Sequence, residues 1–202
     1  MKTNIIFDYG NVLVRFNPHD LCACVLRDES DIALVSEVLF DRAYWDRLDE
    51  GTITDKEVID RSLMRLPARL HDAARKIYGD WYCNTPFIDG MEDLAKRLKN
   101  EGRGLYLLSN ISQGFAAHYA EVPHVGALLS KFDGLVLSGT IGLVKPSAAI
   151  FRHLLGTYHL DASTCVFVDD SERNVIGARA VGIEAYLFDG DAAKLDVYLH
   201  QD

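Results

Sequence analysis

The chain has 202 residues, of which 49% are hydrophobic and 25% are charged, a composition that supports one compact domain or a core domain with an insertion. No apolar run approaches the roughly 20 residues that a membrane span needs, so we expect no membrane partner. The formal net charge of −9 excludes a broad basic face for a phosphate backbone, so we expect no nucleic-acid partner.

The first predicted element is a strand over residues 4–7, a mostly apolar run that stops at Asp8. A short run without alternation is typical of a strand that is buried on both faces, as in a parallel sheet. Residues 16–85 contain no comparable strand and show helical periodicity instead, with a capping box formed by Thr54 and Glu57. We therefore predict a small all-helical cap over residues 16–85, inserted after the first strand.

From residue 86 onward, strands alternate with helices of about ten residues. The predicted strands cover residues 104–109, 134–138, 165–169 and 184–188, and the predicted helices lie between residues 90 and 102 and over residues 113–119, 148–158, 173–181 and 192–199. This alternation predicts βαβ units, a parallel sheet and the α/β class of folds. We assign residues 1–15 and 86–202 to this core.

Three of the predicted strands end in groups that can do chemistry. They are Asp8, the pair of Ser109 and Asn110, and the pair of Asp169 and Asp170. Right-handed crossovers bring the carboxyl ends of parallel strands to one edge of the sheet, which is where ligands bind. One such group alone could simply cap a turn, but three of them together predict a site.

The adjacent carboxylates of Asp169 and Asp170 repel each other and therefore favour a bound cation. Together with Asp8 they form a hard oxygen site suited to Mg²⁺, which also takes substrate phosphate as a ligand. No histidine or cysteine accompanies them, which disfavours zinc. Lys145, which precedes Pro146, can provide a point charge for phosphate. We therefore expect Mg²⁺ as the cofactor and a small phosphorylated metabolite as the binding partner.

The order of these groups resembles the four motifs of the haloacid dehalogenase superfamily. The motifs contain Asp8, Ser109, Lys145 and Asp169, with Asp-Tyr-Gly-Asn-Val as the first and Val-Asp-Asp-Ser-Glu-Arg-Asn as the last. The resemblance covers the whole chain and implies a Rossmann-like core beneath the helical cap. Within the superfamily, the chain is similar to a subgroup that includes glucose-1-phosphate phosphatase and to the N-terminal phosphatase domain of soluble epoxide hydrolases.

The resemblance implies that Asp8 is the nucleophile and becomes an aspartyl phosphate. It also implies that Asp8 binds Mg²⁺ together with Asp170 and the backbone carbonyl of Gly10. Asp169 would bind the metal directly or support its ligands, and Asn174 would steady the last loop.

The resemblance further assigns the groups that bind phosphate. Ser109 and the backbone N–H groups of Asn110 and Asn11 would hold the phosphate oxygens. Lys145 would neutralise charge on both the phosphate and Asp8. Phosphoryl transfer needs mainly positioning and charge stabilisation, so this set of groups is chemically sufficient for phosphate binding.

Gly10 departs from the commoner phosphatase pattern, which has a second Asp at this position as general acid and base. General acid–base catalysis contributes roughly 10²–10⁴-fold to the rate, and glycine cannot provide it. Another group could replace the acid, with His19 a candidate by its nearness in sequence, or the enzyme could be slow. We favour a third explanation, a substrate whose leaving group is acidic, such as the anomeric oxygen of a sugar 1-phosphate.

The sequence thus predicts a Mg²⁺-dependent phosphatase that hydrolyses a small phosphomonoester, a sugar phosphate such as a hexose 1-phosphate. One alternative is a 2-haloacid dehalogenase, which needs no metal, although Asp169 and Asp170 would repel its anionic substrate. The other is a catalytically weak regulator that binds a sugar phosphate. We expect a cytoplasmic protein, because the chain start does not resemble a signal peptide and the four cysteines show no paired spacing. We also expect a monomer or a homodimer.

Overall fold

The computed structural model describes residues 3–201. Met1, Lys2 and Asp202, which include the chain start that we interpreted as lacking a signal peptide, lie outside the described residues. Five parallel strands form one sheet in the order β3-β2-β1-β4-β5. The strands are β1 (Asn4–Phe7), β2 (Gly104–Ser109), β3 (Gly134–Leu137), β4 (Cys165–Asp169) and β5 (Glu184–Leu187). The predicted α/β fold with a parallel sheet is confirmed.

The central strand β1 pairs with β2 on one side and with β4 on the other. Ile5 and Phe7 pack into one hydrophobic cluster and Ile6 into a second one, so both faces of the sheet are covered. This double burial explains why the run is apolar without alternation. The strand order reverses beside β1, and the carboxyl edge at such a reversal is where open α/β sheets bind ligands.

The helices surround this sheet. In the part of the chain before β2, they are α1 (Pro18–Ala23), α2 (Glu29–Leu39), α3 (Arg42–Asp49), α4 (Asp55–Arg65), α5 (His71–Asp80) and α6 (Met91–Asn100). The later helices are α7 (Gln113–His118), α8 (Pro123–Leu129), α9 (Ser138–Ile141), α10 (Ala148–Thr157), α11 (Glu172–Arg179) and α12 (Ala192–Leu199). Within residues 3–201, no helix has both the length and the apolar character that crossing a membrane requires.

The helical segment, residues 18–84, contains α1 to α5, and all of its residues are described. The chain enters and leaves it at one place, where the Arg15 N–H donates to Pro86 O and the Ile88 N–H donates to Leu13 O. The predicted boundaries lie at this place. One hydrophobic cluster nevertheless joins β1 to α2, α4 and α5. The division into a core and a cap therefore stays a prediction.

Two close contacts fix the helical segment against the rest of the molecule. Gly51, which follows α3, has a φ of +67°, and a Cβ atom there would lie 2.5 Å from Gly139 O. Only glycine combines this conformation with so close an approach. In addition, the Asp55 carboxylate accepts hydrogen bonds from the Gly114 N–H at 3.2 Å and from the Tyr78 hydroxyl at 3.1 Å. The Gly51 contact holds the end of α3 beside α9, and the bond from Gly114 to Asp55 joins α7 to the start of α4.

Candidate active site

Asp8 directly follows β1 and continues its pairing with β4, since its N–H donates to Val168 O at 2.9 Å. Its Oδ1 accepts hydrogen bonds from the Tyr9 N–H at 2.7 Å and from Lys145 Nζ at 2.8 Å. Its Oδ2 takes part in no hydrogen bond found among residues 3–201. Because Asp8 lines a cavity of about 310 Å³, this geometry leaves Oδ2 available to a ligand in the cavity.

Lys145 supplies a fixed positive charge. Its side chain is 1% exposed, and its Nζ lies 2.8 Å from Asp8 Oδ1 and 2.7 Å from Asp169 Oδ2. The Asn110 side chain forms two hydrogen bonds with the backbone of this lysine. The Lys145 N–H donates to Asn110 Oδ1 at 2.8 Å, and Asn110 Nδ2 donates to Lys145 O at 3.1 Å. Burial opposes the ammonium charge, but the carboxylates of Asp8 and Asp169 outweigh it and raise the pKa of Lys145.

Asp169 is the last residue of β4 and is completely buried. Its Oδ1 accepts from the Ser171 N–H and from Asn174 Nδ2, each at 2.9 Å, while its Oδ2 accepts from Lys145 Nζ at 2.7 Å. A buried carboxylate is tolerated when its lone pairs are satisfied in this way. These bonds also tie Ser171 and the first turn of α11, which carries Asn174, to the floor of the site.

Three carboxylates meet at this edge of the sheet. Asp8, Asp169 and Asp170 each offer one oxygen, and these oxygens all lie within 4.8 Å of one another. Burial raises the pKa of Asp8 to about 6, and Asp169 adds to the rise while Lys145 opposes it. Partial burial and the Asp169 charge also raise the pKa of Asp170. The three carboxylates thus carry more negative charge than one lysine neutralises.

This donor set fits a hard divalent cation such as Mg²⁺. It contains only oxygen, and three carboxylates beside one ammonium leave two excess negative charges. Asp169 already accepts hydrogen bonds on both of its oxygens, so Asp8 and Asp170 are the carboxylates that remain open to an ion. The Mg²⁺ prediction therefore agrees with the chemistry of the side chains.

The cavity brings most of the predicted site residues together. Those that line it are Asp8, Gly10, Ser109, Asn110, Lys145 and Asn174. Asp169 lies beneath this lining and reaches the site through Lys145.

The structure bears on two residues near the nucleophile in sequence, Asn11 and His19. The Asn11 N–H donates to Val14 O at 2.7 Å, because the turn after β1 closes on itself there, so its predicted phosphate contact is not available in this conformation. His19 is not at the cavity. Its Nε2 lies 2.7 Å from Glu29 Oε1 at the surface, so it is no replacement for the acid missing at Gly10.

Four lining residues were not predicted, namely Arg42, Asp49, Ser171 and Arg173. Ser171 and Arg173 lie inside the last motif, so their position was an available signal. Arg42 and Asp49 are the first and last residues of α3, and only the docking of the helical segment brings them to the cavity.

A neighbouring cavity of about 210 Å³ shares part of this lining. Arg42, Asp49 and Arg173 contribute to both cavities, as do Asn110 and Lys145. The site is therefore a polar cleft in which the helical segment provides one wall and the carboxyl edge of the sheet provides the floor.

Comparison with known proteins agrees with this geometry. Over 181 residues the chain is 29% identical to a sesquiterpene phosphatase of Aspergillus oryzae, a match that covers 88% of this chain and 85% of that protein. It is 28% identical to a drimenol cyclase of Aspergillus calidoustus, over 93% of this chain but only 34% of that protein.

The fold is also found in solved structures. A haloacid dehalogenase family enzyme from Bacteroides thetaiotaomicron, in complex with magnesium and inorganic phosphate, aligns with a TM-score of 0.69 at 20% identity. The alignment covers 96% of this chain and 99% of that one. At this level of identity the likeness shows the fold.

The family itself follows from the sequence match. Residues 3–182, most of the chain, match the haloacid dehalogenase-like hydrolases. The predicted superfamily and the predicted class of enzyme, a hydrolase, are therefore confirmed. This chain belongs to the haloacid dehalogenase-like hydrolase family.

Proposed function

We propose that this chain is a Mg²⁺-dependent phosphatase that hydrolyses a small phosphomonoester through an aspartyl phosphate on Asp8. The observation that carries the proposal is the buried ion pair of Lys145 with Asp8 and Asp169 on the floor of a polar cavity. Phosphoryl transfer depends on positioning and on charge stabilisation, which this arrangement supplies. The phosphatase named among the relatives and the phosphate complex of the structural neighbour support the same reaction class.

In the proposed reaction, Oδ2 of Asp8 attacks phosphorus and the ester oxygen leaves. Lys145 fixes the other carboxylate oxygen of Asp8 and offsets the negative charge of the phosphoryl group. Ser109 and the backbone N–H of Asn110 hold phosphate oxygens at the end of β2. Water then hydrolyses the aspartyl phosphate, which releases inorganic phosphate and restores Asp8.

The proposed metal ligands are Asp8, Asp170 and the backbone carbonyl of Gly10. When bound, Mg²⁺ would neutralise phosphate charge and orient the phosphoryl group. Asp169 supports this arrangement through its bond to Lys145. The same electrostatics disfavours a metal-free 2-haloacid dehalogenase, because an anionic haloacid would meet the two excess negative charges without compensation.

A sugar phosphate such as a hexose 1-phosphate is the proposed substrate, in line with the proposed similarity of this chain to a subgroup that includes glucose-1-phosphate phosphatase. Charged and amide side chains line the cavity, among them Arg42, Asp49 and Asn110, and such groups can bind sugar hydroxyls. The lining is less suited to an apolar terpene chain. A cytoplasmic location is also proposed, since the buried Cys22 forms no disulfide within residues 3–201.

The test measures phosphate release from sugar phosphates, nucleotides, acyl phosphates and a prenyl phosphate, with Mg²⁺ and with EDTA. We expect Mg²⁺-dependent hydrolysis that is strongest on a sugar phosphate and falls to background in Asp8→Asn. The matched control is Asp60→Asn, which removes an exposed carboxylate of α4 that pairs with Lys56, and it should keep full activity.

Other outcomes would contradict the proposal. Activity that survives complete chelation would exclude the metal assignment. Halide release from 2-haloacids without phosphate release would indicate a dehalogenase. If the enzyme clearly preferred the prenyl phosphate, prenyl phosphates would replace sugar phosphates as the proposed substrate class. Retained turnover in Asp8→Asn would mean that another residue attacks phosphorus.

A further inference from the structure

We propose that Asp49 is the general acid and base of this hydrolase, in place of the carboxylate that Gly10 lacks. This inference rests on the proposed phosphatase function and deepens it. Asp49 is the last residue of α3, in the helical segment, yet it lines the same cavity of about 310 Å³ as Asp8, Gly10 and Lys145. The carboxyl group thus comes from the wall of the cavity that faces the nucleophile, rather than from the turn after β1.

The backbone around Asp49 is held in place. Leu48 is buried, and its carbonyl oxygen would lie 3.0 Å from a Cβ atom at Gly139. On the other side of Asp49, Gly51 approaches Gly139 so closely that no side chain fits there. A general acid must stay within hydrogen-bond reach of the leaving oxygen, and this docking of the end of α3 provides a fixed position.

The environment of Asp49 suits proton transfer near neutral pH. Burial raises the pKa of Asp49 to about 7; Arg42 opposes the rise, and Asp46 and Asp8 add to it. A carboxyl group with this pKa is about half protonated at pH 7, so it can both donate and accept a proton. The charged groups that share the two cavities with Asp49 are Arg42, Asp46, Glu50, Asp8, Lys145 and Arg173.

The Asp49 carboxyl group is also uncommitted. In the part of the chain that the structure describes, it takes part in no hydrogen bond and no ion pair. Arg42 pairs instead with Asp46, at 2.5 Å. The helix dipole at the end of α3 further disfavours the negative charge. No structural partner therefore explains a carboxyl group at this position.

The proton balance of the reaction follows from this placement. Asp8 attacks phosphorus, the bond from phosphorus to the ester oxygen breaks, and the Asp49 carboxyl group gives its proton to that oxygen, so that a neutral alcohol leaves. The Asp49 carboxylate then takes a proton from the water that attacks the aspartyl phosphate. The bond between phosphorus and Asp8 breaks, inorganic phosphate leaves, and both carboxyl groups return to their initial states. With this acid present, the leaving group need not be acidic, so ordinary alkyl phosphates become substrates.

The experiment compares Asp49→Asn with the wild type in single turnovers at saturating Mg²⁺. One substrate is p-nitrophenyl phosphate, whose phenolate leaves without a proton, and the other is the best primary alkyl phosphate of the screen. We expect a loss of roughly 10²–10⁴-fold on the alkyl ester but less than about 10-fold on nitrophenol release. The control Asp60→Asn should keep the wild-type single-turnover rate on both substrates. Asp49→Ser should show the same selective loss of alkyl-ester hydrolysis. This second variant shows whether the loss comes from the missing acid or from a disturbance of the end of α3 by asparagine.

Three results would overturn the assignment. Equal losses on both substrates would mean that Asp49 serves binding or folding. An unchanged rate on the alkyl ester would mean that another group donates the proton. A wild-type enzyme that hydrolyses p-nitrophenyl phosphate but no primary alkyl phosphate would show that no such acid operates. Failure of the wild type on every phosphate ester would instead refute the phosphatase function itself, so the two failures are distinguishable.

Discussion

Replacing Lys145 with methionine removes the ammonium group between Asp8 and Asp169 and retains an unbranched apolar side chain. The Nζ lies 2.8 Å from one carboxylate and 2.7 Å from the other, and the lysine side chain is 1% exposed. Removing one partner of a buried ion pair costs roughly 3–5 kcal/mol, because the charge left behind is uncompensated. We therefore expect the free energy of unfolding at pH 8, without Mg²⁺, to fall by about 3–5 kcal/mol.

The loss should depend on pH in a defined direction. Without the lysine, the pKa of Asp8 in the folded state rises further above its unfolded value, so the penalty is complete at alkaline pH. It shrinks as the pH falls through that raised pKa, which lies above the value of about 6 that Asp8 has beside Lys145, because a protonated carboxyl group needs no counterion. In the wild type, the raised pKa of Lys145 means that its stabilising contribution persists up to about pH 10.

The assay is urea denaturation followed by circular dichroism at pH 8 and pH 5, with EDTA present. Lys99→Met is the matched control, because Lys99 Nζ lies 2.6 Å from Asp133 Oδ1 at the surface. Such a pair contributes about 1 kcal/mol or less. A loss in Lys145→Met no larger than in the control would refute the reasoning. An equal loss at pH 8 and pH 5 would refute it too, since the penalty would then not come from ionised carboxylates.

Two further predictions concern glycines. Gly10→Asp has room for its side chain, since the nearest atom to the new Cβ lies 3.8 Å away, and it should change alkyl-ester turnover little while Asp49 supplies the proton. In the Asp49→Asn background it should restore at least about 10-fold of the lost alkyl-ester activity, and no restoration would count against an acid–base role. Gly51→Ala should destabilise the fold by about 1–3 kcal/mol and lower alkyl-ester hydrolysis, because the φ of +67° and the approach to Gly139 O both exclude a side chain. The control is Gly102→Ala, because Gly102 also has a positive φ but no atom lies within 4 Å of its added Cβ. Thermal denaturation should show only the destabilisation from the strained backbone, and the rate of alkyl-ester hydrolysis should not change.

The sheet could be predicted because its strands are short, apolar and buried on both faces. Every predicted strand is present, with bounds that differ from the observed ones by at most one residue. The strand order could not be predicted, since it depends on contacts between segments that are distant in sequence. The helix α8 (Pro123–Leu129) was not assigned either, because seven residues make two turns, which is too few for a periodic pattern to emerge.

The floor of the site was predictable for a related reason. Asp8, Ser109 and Asp169 come at strand ends, and parallel strands bring those ends to one edge. Asp49 was not predictable, because α3 carries Asp46 and Asp49 on a mostly exposed helix and nothing in the sequence distinguishes them. Which of the two reaches the nucleophile depends on how the helical segment docks.

Asn11 shows a different limit of the sequence. Its place in the first motif indicates a residue near the phosphate, but the partner of a backbone N–H depends on how a turn closes. Here the turn after β1 places Val14 O 2.7 Å from that N–H. Side-chain chemistry can be read from residue types, whereas the availability of a main-chain donor requires the folded backbone.

The two hydrogen bonds between the Asn110 side chain and the Lys145 backbone have a consequence for how this chain can vary. They join the loop after β2 to the loop that carries the lysine, so each loop is part of the other's support. A substitution of Asn110 that preserved its proposed main-chain contact with phosphate would still release the lysine from its position. Changes in these two loops therefore have to arise together, and grafting one of them alone into another member of the family would transfer an incomplete site.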